Sequence, residues 1–394
     1  LDRGLCSYPG LQIFDKVKCK HLDSFASDHS MLLIDTHPTK FRRKKRFYFD
    51  KRWLQRDEVL DVVRQAWDQR DDGSRMFKVV QKVKRSRVNL LKWNSKIQGN
   101  SKQKIEQIKD QLQQLNLCDT EAKRERKKSL KNELKEAYRD EEIYWGQKAR
   151  VQWLKAGDKN TKFFHASVEG RRRRNKVINI QREDGTWTKN EDELSVEIAS
   201  YYRELFKTSD ANEMEEVLNG IPHTISGSMN DNLTKPVDEG EIRSALFSMN
   251  PDKAPGVDGM PPIFFQKFWN IVKKDLVGVV QTFFHTSHLL KSVNHTVISL
   301  IPKILIPTSL KHYRPISLCT TVYKIIAKIL ANRLKQVLHF CISKTQSAFV
   351  PGRQILDNIM ISHEFLHYLK NKRQGKEGFM AVKLDMSKAY DRVE

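Results

Sequence analysis

The sequence predicts an α+β chain, largely helical through a basic middle region, with short strands near its start and towards its end. Residues 40–150 are rich in Lys, Arg, Glu and Gln, with few Gly and almost no Pro after Pro38, a composition that favours long polar helices. Short apolar or β-branched runs at 31–34, 297–301, 313–318 and 379–384 have the length of strands. Asp238, with Glu241 three residues on, marks a helix start of the capping-box kind.

Taken in order, residues 1–36 carry apolar pieces around Leu11, Ile13, Phe14 and Val17 ahead of the 31–34 run, with Gly and Pro between them. They read as the tail of a sheet domain. Residues 37–150 form a basic helical connector. Within it Ile105, Ile108, Leu112 and Leu115 alternate at spacings of three and four, and two heptads favour a helical hairpin, completed by Leu130, Leu134, Ala137 and Tyr138, over an extended coiled coil. Residues 151–235 continue the connector with Arg171, Arg172, Arg173 and Arg174 close to Trp153, Phe163, Phe164 and His165. Cations beside aromatic rings neutralise phosphates and stack on bases, and nuclear import is a competing use of the same charges.

A second globular unit spans 236–394. Ile242, Ala245, Leu246 and Met249 fall on one helical face after Asp238, and Asn250-Pro251 stops that helix. A loop rich in Gly and Pro follows at 252–259, then the strands 297–301 and 313–318. A helix over 322–337 is expected to bury Ile325, Ile326, Ile329, Leu330, Leu334 and Val337 while Lys324, Lys328 and Lys335 stay outside. The run 379–384 reads as a buried strand that delivers Asp385 at its tip.

Charge narrows the partners. Lys plus Arg number 71 against 48 Asp plus Glu, a formal charge of +23, so salt-sensitive attraction to nucleic acid is expected. No apolar run approaches the roughly 18 residues of a membrane span, and the start shows neither a signal-peptide core nor an initiator Met, which points to an intracellular protein of nucleus or cytoplasm. Five scattered cysteines without a C-x-x-C pair argue against a disulfide framework and a zinc ribbon.

An acidic residue at a strand tip, followed by Met386-Ser387-Lys388-Ala389-Tyr390-Asp391, is how nucleotide polymerases hold the first carboxylate of a two-metal site. Other motifs stand upstream in a fixed order: Gly157-Asp158-Lys159-Asn160-Thr161-Lys162-Phe163-Phe164-His165, Lys253-Ala254-Pro255-Gly256-Val257-Asp258-Gly259, Ile301-Pro302-Lys303, Tyr313-Arg314-Pro315-Ile316-Ser317 and Gln346-Ser347-Ala348-Phe349-Val350-Pro351-Gly352-Arg353. Together, over roughly 150–394, the set resembles the fingers and first palm motif of a non-LTR (LINE-type) retrotransposon reverse transcriptase, of the sort abundant in plant genomes.

The resemblance implies a right-hand polymerase in which Asp385 holds the catalytic metal, Mg²⁺, and Tyr390 packs under the incoming sugar. Lys303 and Arg314 would neutralise the triphosphate of a deoxynucleoside triphosphate. Arg353 would contact template or primer backbone or support the fingers, and Asp258 and Gly259 would shape them. Upstream, Leu1-Asp2-Arg3 and Ser27-Asp28-His29-Ser30 resemble the last motifs of an endonuclease/exonuclease/phosphatase-type β-sandwich, where Asp2 would orient the catalytic His29 beside Asp28.

By resemblance the complete ancestor nicks a DNA target, primes on the exposed 3′ hydroxyl and copies an RNA template. The second carboxylate motif, the rest of the palm, the thumb and most of the nuclease are not in this sequence, so neither polymerase nor nuclease activity is expected of this chain by itself. The alternative is a non-catalytic basic protein that binds RNA or DNA. A group II intron maturase-like enzyme would share the fingers but leaves Ser27-Asp28-His29 unexplained.

Overall fold

The computed structural model describes Ser7, Phe14, residues 17–22, 31–36, 46–97, 101–115, 121–149, 161–208 and 214–386, and Ala389. The chain divides into two units, Leu1–Arg46 and Phe47–Glu394. In the first, β1 (Lys18–Leu22) pairs antiparallel with β2 (Met31–Asp35), Lys18 standing opposite Asp35 and Leu22 opposite Met31. The strand expected at 31–34 is present, and its partner begins just beyond Val17. No helix among the described residues is long and apolar enough to cross a membrane.

The second unit starts with an aromatic strip. Asp50 caps a 3-10 turn at Lys51–Gln55 by accepting the Arg52 amide at 3.0 Å, which orients Trp53 inward. Then come α1 (Glu58–Asp68), α2 (Arg75–Ile97), and the antiparallel pair α3 (Ser101–Gln114) and α4 (Glu121–Ala149). In that pair Ile105 and Ile108 are buried, as are Leu130 and Ala137, so the expected helical hairpin forms along the expected seam.

α5 (Thr161–Arg174), α6 (Glu191–Leu205), α7 (Met214–Asn219) and α8 (Gly227–Thr234) lead to α9 (Glu239–Phe247), α10 (Pro262–Lys267), α11 (Trp269–Thr286) and α12 (Lys291–Asn294). β3 (Val297–Pro302) and β4 (Tyr313–Leu318) form an antiparallel hairpin, followed by α13 (Thr321–Cys341) and α14 (Ile355–Asn371).

One core joins the start of this unit to segments as far along as α13. Phe49 and Trp53, Val63 and Trp67 of α1, and Val79 and Leu90 of α2 pack with Leu246 of α9, Phe264 of α10, Leu276 of α11 and Ile325 of α13. Helices that composition reads as polar connector therefore supply a wall of the core. Val59, Val63 and Trp67 recur at spacings of four, which places them on one face of a helix otherwise rich in charge. Asp275 of α11 fastens that wall by accepting from Trp67 Nε1 at 2.7 Å and Lys82 Nζ at 2.8 Å.

Three expectations need correction. The Asp238 carboxylate does accept the Glu241 amide at 2.7 Å, but the Glu241 side chain turns away from a reciprocal capping box to grip Arg333. On α13 the buried stripe is Val322, Ile325, Ile326, Ile329, Arg333 and Val337, while Leu330 and Leu334 are 43% and 53% exposed. They lie on a second apolar face that no described residue covers. Finally, residues 379–384 form no strand: Met380, Val382 and Leu384 are exposed, because a strand needs a ladder partner and no described segment lies beside them.

Candidate nucleotide and nucleic-acid site

The β3–β4 hairpin displays the two cations expected at the fingertips. Ile301 pairs with Arg314 and Pro302 with Tyr313, and the Lys303 amide extends the ladder to the His312 carbonyl at 2.8 Å. Side chains alternate along a strand, so Lys303 and Arg314 fall on the same face as diagonal neighbours. Both are exposed, and neither has an ion-pair partner among the described residues.

The opposite face explains why that orientation holds. Tyr313 is 2% exposed and packs, with Leu300 and Leu310, against Ile180, Leu194 and Tyr202. The turn beyond is rigid as well, since His312 Nδ1 accepts the Thr308 and Ser309 amides at 3.2 and 3.3 Å. The Thr308 carbonyl in turn accepts the Gln181 amide at 2.8 Å. Two cations are thus held in the open on an anchored ribbon, an arrangement fit for a polyphosphate.

The loop 252–259 underlies the hairpin. Gly259 has φ +73°, and a Cβ there would lie 2.2 Å from the Phe47 carbonyl oxygen; the Phe49 amide donates to the Gly259 carbonyl at 3.0 Å. A Cβ on Gly256 would lie 2.6 Å from the Thr320 nitrogen, at the start of α13. Only glycine permits such approaches. Asp258 is half-buried, and burial pushes its carboxyl up to about 6, opposed by the Met260 amide and by the positive charges of Lys324 and Arg87. Shaping, as expected of Asp258 and Gly259, is what this geometry provides.

The other expected site residues are dispersed. Arg353 directs Nη1 at the Ser343 and Gln346 carbonyls and so ties up its own loop. Gly352 has φ +79°, with nothing close to where a Cβ would stand, so it answers a backbone conformation and no close approach. Arg171 donates to the Ala149 carbonyl at 3.0 Å and to the Lys148 carbonyl, satisfying the C-terminus of α4. It is half-buried, and Arg172, Arg173 and Arg174 remain exposed at the end of α5. Phe164 is buried beside Trp145, whose ring also meets His165 at 4.0 Å, so these aromatics pack the α4–α5 junction.

Asp385 is exposed. Among the described residues no three His, Cys, Asp or Glu side chains cluster as a metal site, so the residues described do not compose the two-metal centre. Asp2, Asp28, His29 and Tyr390 lie outside the described residues. Sequence reading missed the pairing of Gly259 with Phe47, because contacts between remote segments leave no local periodicity.

Residues 301–394 match the family model described as reverse transcriptase (RNA-dependent DNA polymerase). The chain is also 33% identical over 272 residues to the Transposon TX1 uncharacterized 149 kDa protein of Xenopus laevis, an alignment covering 68% of this chain and 20% of that relative. The chain thus spans about a fifth of the relative's length. From Ile301 onward the sequence is similar to the reverse-transcriptase family, and over 272 residues it is similar to a transposon protein.

Proposed function

We propose that these residues are the fingers and the first palm segment of a LINE-type retrotransposon reverse transcriptase, which copies an RNA template from a DNA primer by target-primed synthesis. The observation that carries this reading is the hairpin: Lys303 and Arg314 stand without an ion-pair partner among the described residues, on one face of a ribbon whose other face is anchored, within the segment that matches the family. Unpaired cations fixed in place lose little freedom when a triphosphate docks, and Arg314 presents a planar fork to its oxygens. Such polymerases generally work with divalent metal, Mg²⁺ in this proposal, with Asp385 among its ligands.

In the same reading Tyr390 lies under the incoming sugar. Arg172, Arg173 and Arg174 add phosphate contacts, and Asp2, Asp28 and His29 belong to an upstream endonuclease. Primer extension on an RNA template by the longest open frame containing this chain tests the proposal. Asp385→Ala should reduce extension by at least about 10³-fold, and Arg314→Ala should raise the KM for nucleotide about tenfold. Extension indifferent to Asp385→Ala would sink the reading.

A further inference from the structure

We infer that this unit pairs with a second copy of itself through the tip of the β3–β4 hairpin, each tip seating in a groove of the other copy. The tip is an apolar prong. Ile304, Leu305 and Ile306 follow one another at the turn, 47%, 87% and 79% exposed, where polar residues are the rule. Three exposed apolar side chains in a row mark a contact surface or a liability to aggregate. Residues 303–314 carry Lys303, Lys311 and Arg314 and no acid, so the prong is cationic as well as apolar. Its base is fixed, since His312 Nδ1 accepts the Thr308 and Ser309 amides and the Thr308 carbonyl accepts the Gln181 amide. A prong already held in place loses little freedom on docking.

A groove lies beside it. Its volume is about 1060 Å³, and Tyr201 and Leu205 of α6 line it together with Phe206, Glu183, Asp184 and Glu204. Phe206 is 46% exposed and stacks on Tyr202 with ring centroids 5.9 Å apart, which sets an aromatic ring in the groove. Ser309, Leu310 and Lys311, at the root of the prong, line the same groove. Residues 182–204 hold seven acids against Arg182, Lys189 and Arg203, an acidic stretch in a chain of net charge +23. Arg182 is taken by Glu193 and Glu197, and Lys311 faces Glu183 at 3.4 Å, which leaves Asp184 and Glu204 against Lys207 in the groove lining.

One patch thus carries a cationic apolar knob and, next to it, an acidic aromatic hole. A polyphosphate strand or an anionic bilayer suits the knob but is repelled by the acids beside it. A second copy turned about a two-fold axis offers a hole to this knob and a knob to this hole, the self-complementarity that an isologous interface requires. A net charge of +23 sets two copies against each other, so the faces that meet must bring opposite charges together. Lys303 of one copy and Glu204 of the other supply them, both exposed and without an ion-pair partner among the described residues. The contact is small, so a dimer with Kd of about 10–100 µM is expected.

Sedimentation equilibrium of the nuclease-treated whole chain, from about 5 to about 300 µM and without nucleotide, tests this. Leu305→Asp should weaken association at least about tenfold and leave the melting curve unchanged, because the position is exposed. Lys303→Glu and Glu204→Lys should each weaken it about fivefold. Mixed together, these two variants should pair with the parent's affinity, since one contact of the mixed pair is native and the other is reversed on both sides.

A chain that stays monomeric throughout, or charge variants that pair no better mixed than alone, would overturn the proposal. So would an association that survives Leu305→Asp and disappears with Ile359→Asp, which would put the contact on the exposed helix α14. A monomeric parent that binds phosphatidylserine vesicles or a labelled oligonucleotide, and loses that binding in Leu305→Asp, would give the prong to lipid or nucleic acid instead. None of these measurements uses primer, template or Asp385, so the outcome is independent of the reverse-transcriptase reading.

Discussion

Asp258 shows how a shaping residue makes a fold sensitive to pH. Its carboxyl titrates at about 6 in the folded chain against an ordinary 3.8, so folding favours the protonated form. Its contribution to stability is therefore most favourable below pH 4 and is lost as pH rises through about 6. Asp258→Asn keeps an acceptor for the Met260 amide and removes the buried charge. The variant should gain about 1 kcal/mol at pH 7, the full linkage being discounted for solvent screening, and nothing at pH 4. Urea melts at the two pH values decide it, and an equal gain at both would contradict the assignment. Gly259→Ala should cost at least about 2 kcal/mol in the same measurement, through strain at positive φ and collision with Phe47.

These two residues also mark what was legible in sequence. The motif 253–259 carries a resemblance in its residues and order, and that resemblance implies a shaping role for Asp258 and Gly259. The reason for the glycine was invisible, because it lies in a carbonyl contributed by Phe47, far back in the chain. Lys303 and Arg314 are legible only through the resemblance their motifs carry. Their shared face follows from the register that sets Ile301 opposite Arg314, which alternation alone does not fix.

At the level of elements, α13 is the informative case. Its sequence is apolar on two faces, and one-face reasoning assigned Leu330 and Leu334 to the stripe of Ile325 and Ile329. The structure instead buries Arg333 there. Its guanidinium takes both Glu241 carboxylate oxygens at 2.8 Å and the Leu233 and Lys235 carbonyls at 2.8 Å, joining α13 to α9 and to the end of α8. Arg333→Ala leaves a carboxylate and two carbonyls without their partner and should destabilise by about 3 kcal/mol. Arg333→Lys should recover less than half, because a point charge cannot span the fork, and chemical melts of both variants settle it. The expected strand at 379–384 failed on similar grounds, since alternation specifies a face but not the neighbour that must pair with it.

Across the whole molecule, residues 47–97 and 237–329 behave as one cooperative body because they share one core. Val63→Ala and Leu276→Ala, on opposite sides of it, should each cost about 1–4 kcal/mol and shift a single unfolding transition. Hydrogen exchange that protected α1 and α2 independently of α11 would contradict a common core. Composition could not show this union. The basic stretch has the composition of a connector because its apolar residues are few, yet their spacing is sufficient to close a core whose other wall is made later in the chain.

That shared core sets the order of events on the ribosome. The apolar face of α1 and α2, with Val63, Trp67, Val79 and Val83, leaves the exit tunnel long before α11 supplies Leu276 and Val280 to cover it. At common rates of synthesis the intervening stretch of roughly 190 residues takes on the order of 10–40 s to make. During that interval the nascent chain carries an uncovered greasy stripe beside a high density of positive charge. Chaperone capture is the fate that chemistry favours, and a nascent chain stalled before α11 should hold chaperone that one stalled well after α13 releases.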